Sequence, residues 1–294
     1  MKKLEIRPIR DAVIEDVKSQ VARFAERYGF PPHLAIILVG DNKASQSYIR
    51  TKEKLAAEVG MTTENHFLPS AASKDEIIAL IDSLNADDSV HGILLQLPLP
   101  DGFDVYPIME RILPEKDPDA LTSSNMGCLF KDRANVLACT PKGIMKIFDF
   151  CKIPLASKNV LIINRSDIVG KPLAAALLSK GVDATVTVAH SKTSDVKRLA
   201  ESADIIVVAV SKYGYIDKTW KLKDGVVIID VSINRIPDSS SEKGYRVVGD
   251  FLPEDFEDKP GSYTPVPGGV GLMTVCELLD NTMFLAWKQM EKRG

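Results

Sequence analysis

The sequence predicts an α/β protein of two domains, each a largely parallel sheet wrapped by helices. Three observations carry this. Short apolar runs bounded by turn residues alternate with stretches of helical spacing along most of the chain. From about residue 158 the alternation takes the order of a doubly wound unit. A Gly/Pro-rich loop near residue 268 then precedes a last helix that returns to the first domain. A length of 294 residues suits one large or two ordinary domains.

Residues 11–28 read as an amphipathic helix with Val13, Val17, Val21, Phe24 and Ala25 on one side. Leu34–Val39 is a buried strand, closed by the loop Gly40-Asp41-Asn42. Ala44, Tyr48, Leu55 and Val59 then recur at helical spacing until Gly60. Tyr48 and Lys52 are one turn apart on this helix and share a face. They stand near the C-terminal edge of the preceding strand, where open α/β sheets place their ligand crevice. A phenol above an amine there is a candidate acid/base pair; the plain alternative is an exposed Lys with a Tyr packed beneath it. Residues 61–68 follow as a second, more polar strand, and Lys74–Leu84 as a helix. Ile93–Leu95 is a buried strand stopped by Pro98 and Pro100, which leaves Gln96 polar at its end, as a cap, a turn residue or a partner to something else. In Pro114–Ala120, Asp117 and Asp119 flank a proline, the usual look of a solvated turn.

In the second half, Thr140 and Pro141 read as the N-cap and first residue of a helix running to about Phe150. The strand Lys158–Ile163 leads into the turn Asn164–Pro172, then a helix Leu173–Leu178 and a strand Thr185–Ala189. A helix over Asp195–Ser202 and strands at Asp204–Val210 and Gly225–Asp230 complete a nucleotide-binding pattern. Its first turn holds only Gly170 where a phosphate fingerprint has three glycines. The second strand ends in His190-Ser191-Lys192, with no acid for a ribose 2′-hydroxyl. Lys192 and Arg165 suit a 2′-phosphate instead, which favours NADP over NAD. After a stretch rich in Ser, Pro and charge at 234–262, the loop Thr264–Gly271 lets backbone approach a ligand closely, and a helix Thr274–Gln289 ends the pattern.

Composition excludes several classes. Net charge is −3, which argues against a nucleic-acid or membrane surface as main partner. The four cysteines form no CxxC pair and read as reduced thiols of a cytosolic protein, and the four histidines lack metal-ligand spacing, so no metal is expected. The start of the chain lacks the apolar core of a signal peptide, and no stretch nears the roughly 20 apolar residues of a membrane span.

Several motifs now converge. Val39-Gly40-Asp41 through Lys52, Gly92–Pro100, Thr140-Pro141-Lys142-Gly143, Arg165-Ser166 with Ile168–Pro172, and Thr264–Gly271 together resemble one family over nearly the whole chain. It is the family of bifunctional methylenetetrahydrofolate dehydrogenase/methenyltetrahydrofolate cyclohydrolases. The resemblance implies a discontinuous folate-binding catalytic domain, 1–139 with 270–294, and an NAD(P)-binding Rossmann-like domain, 140–269, with a cleft between them. It implies oxidation of methylenetetrahydrofolate with NADP (NAD as the lesser possibility), then hydrolysis to the 10-formyl compound. Lys52 matches the group that exchanges the proton with water, Tyr48 and Gln96 its neighbours, and Asp119 the acid that pairs with the pterin's amino edge. Leu97, Pro267 and Gly268 match folate-lining positions. Thr140, Asn164, Arg165, Ser166, Ser191 and Ile233 match positions on the cofactor side. A cytoplasmic homodimer, joined through strands of the nucleotide domain, is also implied.

The chain departs from the family pattern where Asn164, Ser211 and Ser232 stand for glycines, and where Pro118, Ala120 and Leu272 stand for valine, glycine and proline. The catalytic matches are intact. The alternative expectation is therefore a cyclohydrolase whose dehydrogenase activity is weak or lost.

Overall fold

The apolar run at residues 34–39 is the middle strand of a three-stranded parallel sheet. The computed structural model describes residues 1–241 and 244–293, with backbone alone at Ala44. Glu242 and Lys243 of the charged stretch, Gly294, and the side chain of Ala44 in the helical pattern lie outside the described residues.

In chain order the strands are β1 (Lys2–Lys3), β2 (His33–Val39), β3 (Thr62–Leu68), β4 (Gly92–Leu95), β5 (Asn159–Ile163), β6 (Thr185–Ala189), β7 (Ile205–Val208), β8 (Val226–Asp230), β9 (Asn234–Pro237), β10 (Tyr245–Val248) and β11 (Gly261–Tyr263). The α-helices are α1 (Arg7–Tyr28), α2 (Lys43–Val59), α3 (Lys74–Ala86), α4 (Val105–Met109), α5 (Ser123–Phe130), α6 (Cys139–Phe150), α7 (Gly170–Leu178), α8 (Val196–Ala200) and α9 (Met273–Arg293). The chain divides into two compact units: Asp11–Cys139 with Val275–Gly294, and Met1–Arg10 with Thr140–Thr274. They are called here the Lys52 unit and the Arg165 unit. Residues 1–10, which the sequence reading places with 11–139, thus group with 140–274, because β1 pairs with β11.

The Lys52 unit holds the sheet β3-β2-β4. Every residue of β4, and all of β2 after His33, is buried, as expected of a parallel strand covered on both faces. Its core runs through Ile37, Val39, Ile77, Ile81, Ile93 and Ile108. Helix α3 starts at a capping box, in which Ser73 Oγ accepts from Glu76 N–H and Glu76 returns to Ser73 N–H. It ends on Lys116, whose Nζ donates to the carbonyls of Leu84, Asn85 and Asp87 at 2.9, 2.9 and 2.6 Å. The segment 114–120 is therefore no solvated turn: Lys116, Asp117 and Ala120 are buried. Helix α9 closes this unit. Asn281 Nδ2 donates to the carbonyls of Pro118 and Leu137, and Gln289 Nε2 to those of His91 and Glu115.

The Arg165 unit is a six-stranded parallel sheet in the order β1-β11-β8-β7-β5-β6. Its core includes Leu161, Ile163, Ile206, Val208, Ile228 and Trp220. The charged stretch after residue 234 is not featureless, since β9 and β10 pair antiparallel as a hairpin.

Candidate active site

Helix α2 presents a buried stripe of Ser45, Ile49, Ala56 and Val59. Lys52 lies on that stripe, one turn from Ile49 and Ala56, and is partly buried. Tyr48 lies off the stripe, 48% exposed, so it is available to a ligand rather than packed beneath the lysine. Lys52 Nζ donates to Gln96 Oε1 at 2.8 Å. Gln96 is held in turn: its backbone N–H bonds Ile37 O at 2.8 Å, and its Nε2 donates to Leu97 O at 2.7 Å. Being committed as a donor on one side, the amide turns its oxygen to the amine. The sheet explains the placement, because β2 and β4 are neighbours and both end at this edge.

Burial pushes the Lys52 pKa below the ordinary lysine value, while the charge of Asp119 pulls it back up. A lysine so placed is driven toward the neutral amine that can take a proton. Cys139 Sγ donates to Asp119 Oδ1 at 3.2 Å and approaches Pro118 O at 3.5 Å, so Lys52, Gln96, Asp119 and Cys139 form one group. Asp117 does other work. Its Oδ2 accepts from Thr122 N–H and Asn125 Nδ2 at 2.9 and 3.0 Å, which fixes the turn that carries Asp119. Ala120 sits at φ 54°, in the left-handed region where glycine is at ease.

In the Arg165 unit the turn from β5 to α7 carries Asn164, Arg165 and Ser166. Asn164 does not take up a left-handed conformation, and its side chain does the work instead. Its Oδ1 accepts from Ser166 N–H, Ser166 Oγ and Gly170 N–H at 2.8, 2.7 and 3.1 Å, and its Nδ2 donates to Ala209 O at 2.7 Å. Arg165, Ser191 and Lys192 are exposed at the ends of neighbouring strands β5 and β6, which suits an anionic group. Thr140 and Pro141 fall inside α6, one and two residues after its start, so Thr140 is not the N-cap; its Oγ1 lies 3.2 Å from Thr274 Oγ1.

Asp250, wholly buried, gathers the loop after β7. It accepts from the N–H groups of Val210, Ser211 and Lys212 at 2.7, 3.2 and 2.7 Å and from Asn234 Nδ2 at 2.9 Å. Ser211 takes φ 57°, and its N–H also reaches Ser232 Oγ at 3.0 Å. Asp230 accepts from Phe251 N–H and Ser232 N–H, and burial lifts its pKa to about 7. Ile233, Pro267 and Gly268 meet along a pocket of about 200 Å³ that Asp230, Ser232 and Leu272 also line. All of it lies within the Arg165 unit.

The residues singled out from sequence thus fall into three sets, with Thr140 apart. Lys52, Gln96 and Asp119 come together, with Tyr48 and Leu97 beside them in chain; in the other unit Asn164, Arg165, Ser166 and Ser191 stand at the ends of β5 and β6, and Ile233, Pro267 and Gly268 meet along the pocket. Two residues with structural weight were missed. The sequence places Cys139 at the start of a helix and as a reduced thiol, with no role beside Asp119. Asp250 carried no signal, because nothing local ties it to residues 210–212. Among the described residues no cluster of three His, Cys, Asp or Glu could hold a metal ion, and no helix is long and apolar enough to cross a membrane.

Comparison with known proteins agrees with this geometry. Residues 4–119 match the model of the tetrahydrofolate dehydrogenase/cyclohydrolase catalytic domain, and residues 138–290 that of its NAD(P)-binding domain. The chain is 44% identical to the bifunctional protein FolD of Salinibacter ruber, covering 95% of this chain and 94% of that one. Among solved structures, it is similar to the bifunctional FolD of Campylobacter jejuni, at 40% identity and TM-score 0.90, covering 98% of this chain and 99% of the other. It is equally similar in fold to the Trypanosoma brucei dehydrogenase-cyclohydrolase solved with NADP and an inhibitor, at 34% identity, TM-score 0.90 and 98% coverage of both. The chain belongs to the tetrahydrofolate dehydrogenase/cyclohydrolase family.

Proposed function

We propose that this protein oxidises 5,10-methylenetetrahydrofolate to the methenyl compound with NADP and then hydrolyses that cation to 10-formyltetrahydrofolate. The observation that carries the reading is the Lys52–Gln96 bond with Asp119 alongside, in a chain more than two-fifths identical to bifunctional relatives. NADP, when bound, supplies the hydride acceptor. The exposed Arg165, Ser191 and Lys192 suit its 2′-phosphate, and Ile233 and Thr140 complete the proposed cofactor side.

Hydration needs a base to take a proton from water and an acid to return one to the leaving nitrogen. Lys52 does both. Burial favours its neutral form, and Gln96 Oε1 holds its nitrogen in place. Asp119 accepts hydrogen bonds from the pterin's amino edge; its carboxylate is kept in line by Cys139. Tyr48, exposed one turn before Lys52, orients the folate, and Leu97, next to Gln96 in the chain, lines its path.

The proposal includes a cytoplasmic homodimer. The edge strand β6 supports it, since Val188 is 38% exposed there and Leu178, at the end of α7, 56%. Light scattering on purified protein would show twice the chain mass, and Val188→Lys would return a monomer.

A coupled assay separates the full reading from a cyclohydrolase alone. With methylenetetrahydrofolate and NADP, both reduced-nicotinamide absorbance and formyl product should rise. Formyl product from supplied methenyl compound without any NADP reduction would leave only the second activity. Failure of both would refute the proposal.

A further inference from the structure

The turn between β5 and α7 satisfies four of its own backbone donors. Asn164 Oδ1 takes the N–H groups of Ser166 and Gly170, Ser166 Oγ takes that of Val169 at 3.2 Å, and Ser166 O takes that of Lys171 at 3.0 Å. The Lys171 ammonium is itself paired with Asp167. In a doubly wound domain the pyrophosphate sits against the turn that links the first strand to the first helix; Ser166 lies in that turn and Gly170 is the first residue of α7. Here their amides are already bonded to a neutral carboxamide oxygen. It is firmly seated, because Asn164 Nδ2 is bonded to Ala209 O just after β7. The turn is also closely packed around it: a Cβ at Gly170 would fall 2.1 Å from Asn164 O and 2.8 Å from Asn164 Oδ1. A glycine at position 164 would leave the same amides open.

We infer that Asn164 sets the affinity of this unit for dinucleotides: it withdraws the Ser166 and Gly170 amides from the pyrophosphate and weakens NADP and NAD alike, so that the adenosine 2′-phosphate carries more of the affinity that remains. The inference rests on the reading of this unit as the NADP-binding half. NADP and NAD share the pyrophosphate, and only NADP carries the 2′-phosphate. With the shared contact weakened, Arg165, Ser191 and Lys192 carry a larger part of the affinity, and NAD is left with little to hold it. The internal competitor at one end of the ligand thereby lowers the affinity for both dinucleotides, while the basic residues at the other end discriminate between them.

Calorimetric titration of the full-length protein with NADP, NAD and 2′-AMP tests this, on wild type, Asn164→Gly and Asn164→Ala. 2′-AMP carries the adenosine phosphate and no pyrophosphate, so it reports the untouched end of the site and the integrity of the fold there. The expected result is about tenfold tighter binding of NADP and of NAD in both variants, since a hydrogen bond to a charged group is regained, with 2′-AMP affinity unchanged. Unchanged or weaker NADP and NAD binding, with 2′-AMP still bound, would overturn the inference. So would an equal gain for 2′-AMP, which would mean a general change in the turn. Binding of NADP by Asn164→Gly but not by wild type would support the inference while removing the dehydrogenase reading. Absence of NADP binding in all three proteins would overturn both.

Discussion

Lys52 Nζ and Gln96 Oε1 stand 2.8 Å apart, joining the middle of α2 to the residue just after β4, 44 positions later in the chain. The bond has a direction. Gln96 Nε2 is already bound to Leu97 O, so the glutamine can only accept from the lysine. The amine's remaining valences are then left for water and substrate. Burial lowers the cost of losing the lysine's proton, and the nearby Asp119 limits how far that goes.

Lys52→Met should remove the proton carrier while keeping the length of the side chain. Formyl product is expected to fall by about 10²–10⁴-fold, with NADP reduction retained. Because burial opposes the charge of Lys52, the variant should melt no lower than wild type. Equal loss of both activities, with a lowered Tm, would speak for a structural role.

Gln96→Glu should replace a neutral acceptor with an anion at hydrogen-bond distance. The charged form of Lys52 gains, so its pKa rises. The expected readout is a basic shift of the rising limb of the cyclohydrolase pH profile, with lower activity at neutral pH. A profile that keeps its shape would mean that Lys52 is not the titrating group.

Two buried groups should give stability opposite pH slopes. Asp230 titrates near 7 in the fold against 3.8 when free, so between these values the folded chain keeps a proton that the unfolded chain has lost. This contribution to stability falls as pH rises through the window. His91, packed on Phe24 and Phe30 with Nδ1 accepting from His33 N–H, is lowered from 6.5 to about 4. Here the unfolded chain takes up the proton, and the contribution falls as pH drops through that window. Urea unfolding of Asp230→Asn should gain on wild type between pH 5 and pH 8. The His91 imidazole should show neutral NMR shifts down to about pH 5.

Ser211→Gly should stabilise the protein. Ser211 is exposed at φ 57°, and relief of the left-handed conformation outweighs glycine's added freedom by about 0.5–1 kcal/mol. Ala120→Gly shares the angle, but the Ala120 methyl packs with Val136 and Leu285, so it should change little. Thermal melts of the two variants decide; a fall in Tm for Ser211→Gly would contradict the argument.

What could be read from the chain follows from how local each cause is. Strands β2, β4, β5 and β7 announce themselves because a strand covered on both faces must be apolar throughout. Tyr48 and Lys52 were legible as neighbours through helical spacing, but not which of them faces inward; that depends on Ile49 and Ala56 meeting the core. The segment around Asp119 looked solvated because its composition is polar. Its burial comes from distant partners, α3 carbonyls for Lys116 and α9 for Pro118. The place of Asn164 is visible as a departure from glycine, whereas the four bonds its side chain makes are not, since one of its partners, Ala209, comes just after a different strand, β7.

The two ends of the described chain cross over. Met1 and the Lys2–Lys3 strand attach to the unit built from residues 140–274, through Phe256, Glu257 and β11, while α9 completes the unit built from residues 11–139. Neither half can be excised as one continuous fragment. A ribosome must release residues beyond 275 before the lysine-bearing half can finish its core, so that half matures last although it is made first. An affinity tag that disturbs the leading residues would be felt at the nucleotide sheet, and one that frays the trailing helix would be felt beneath Asp119.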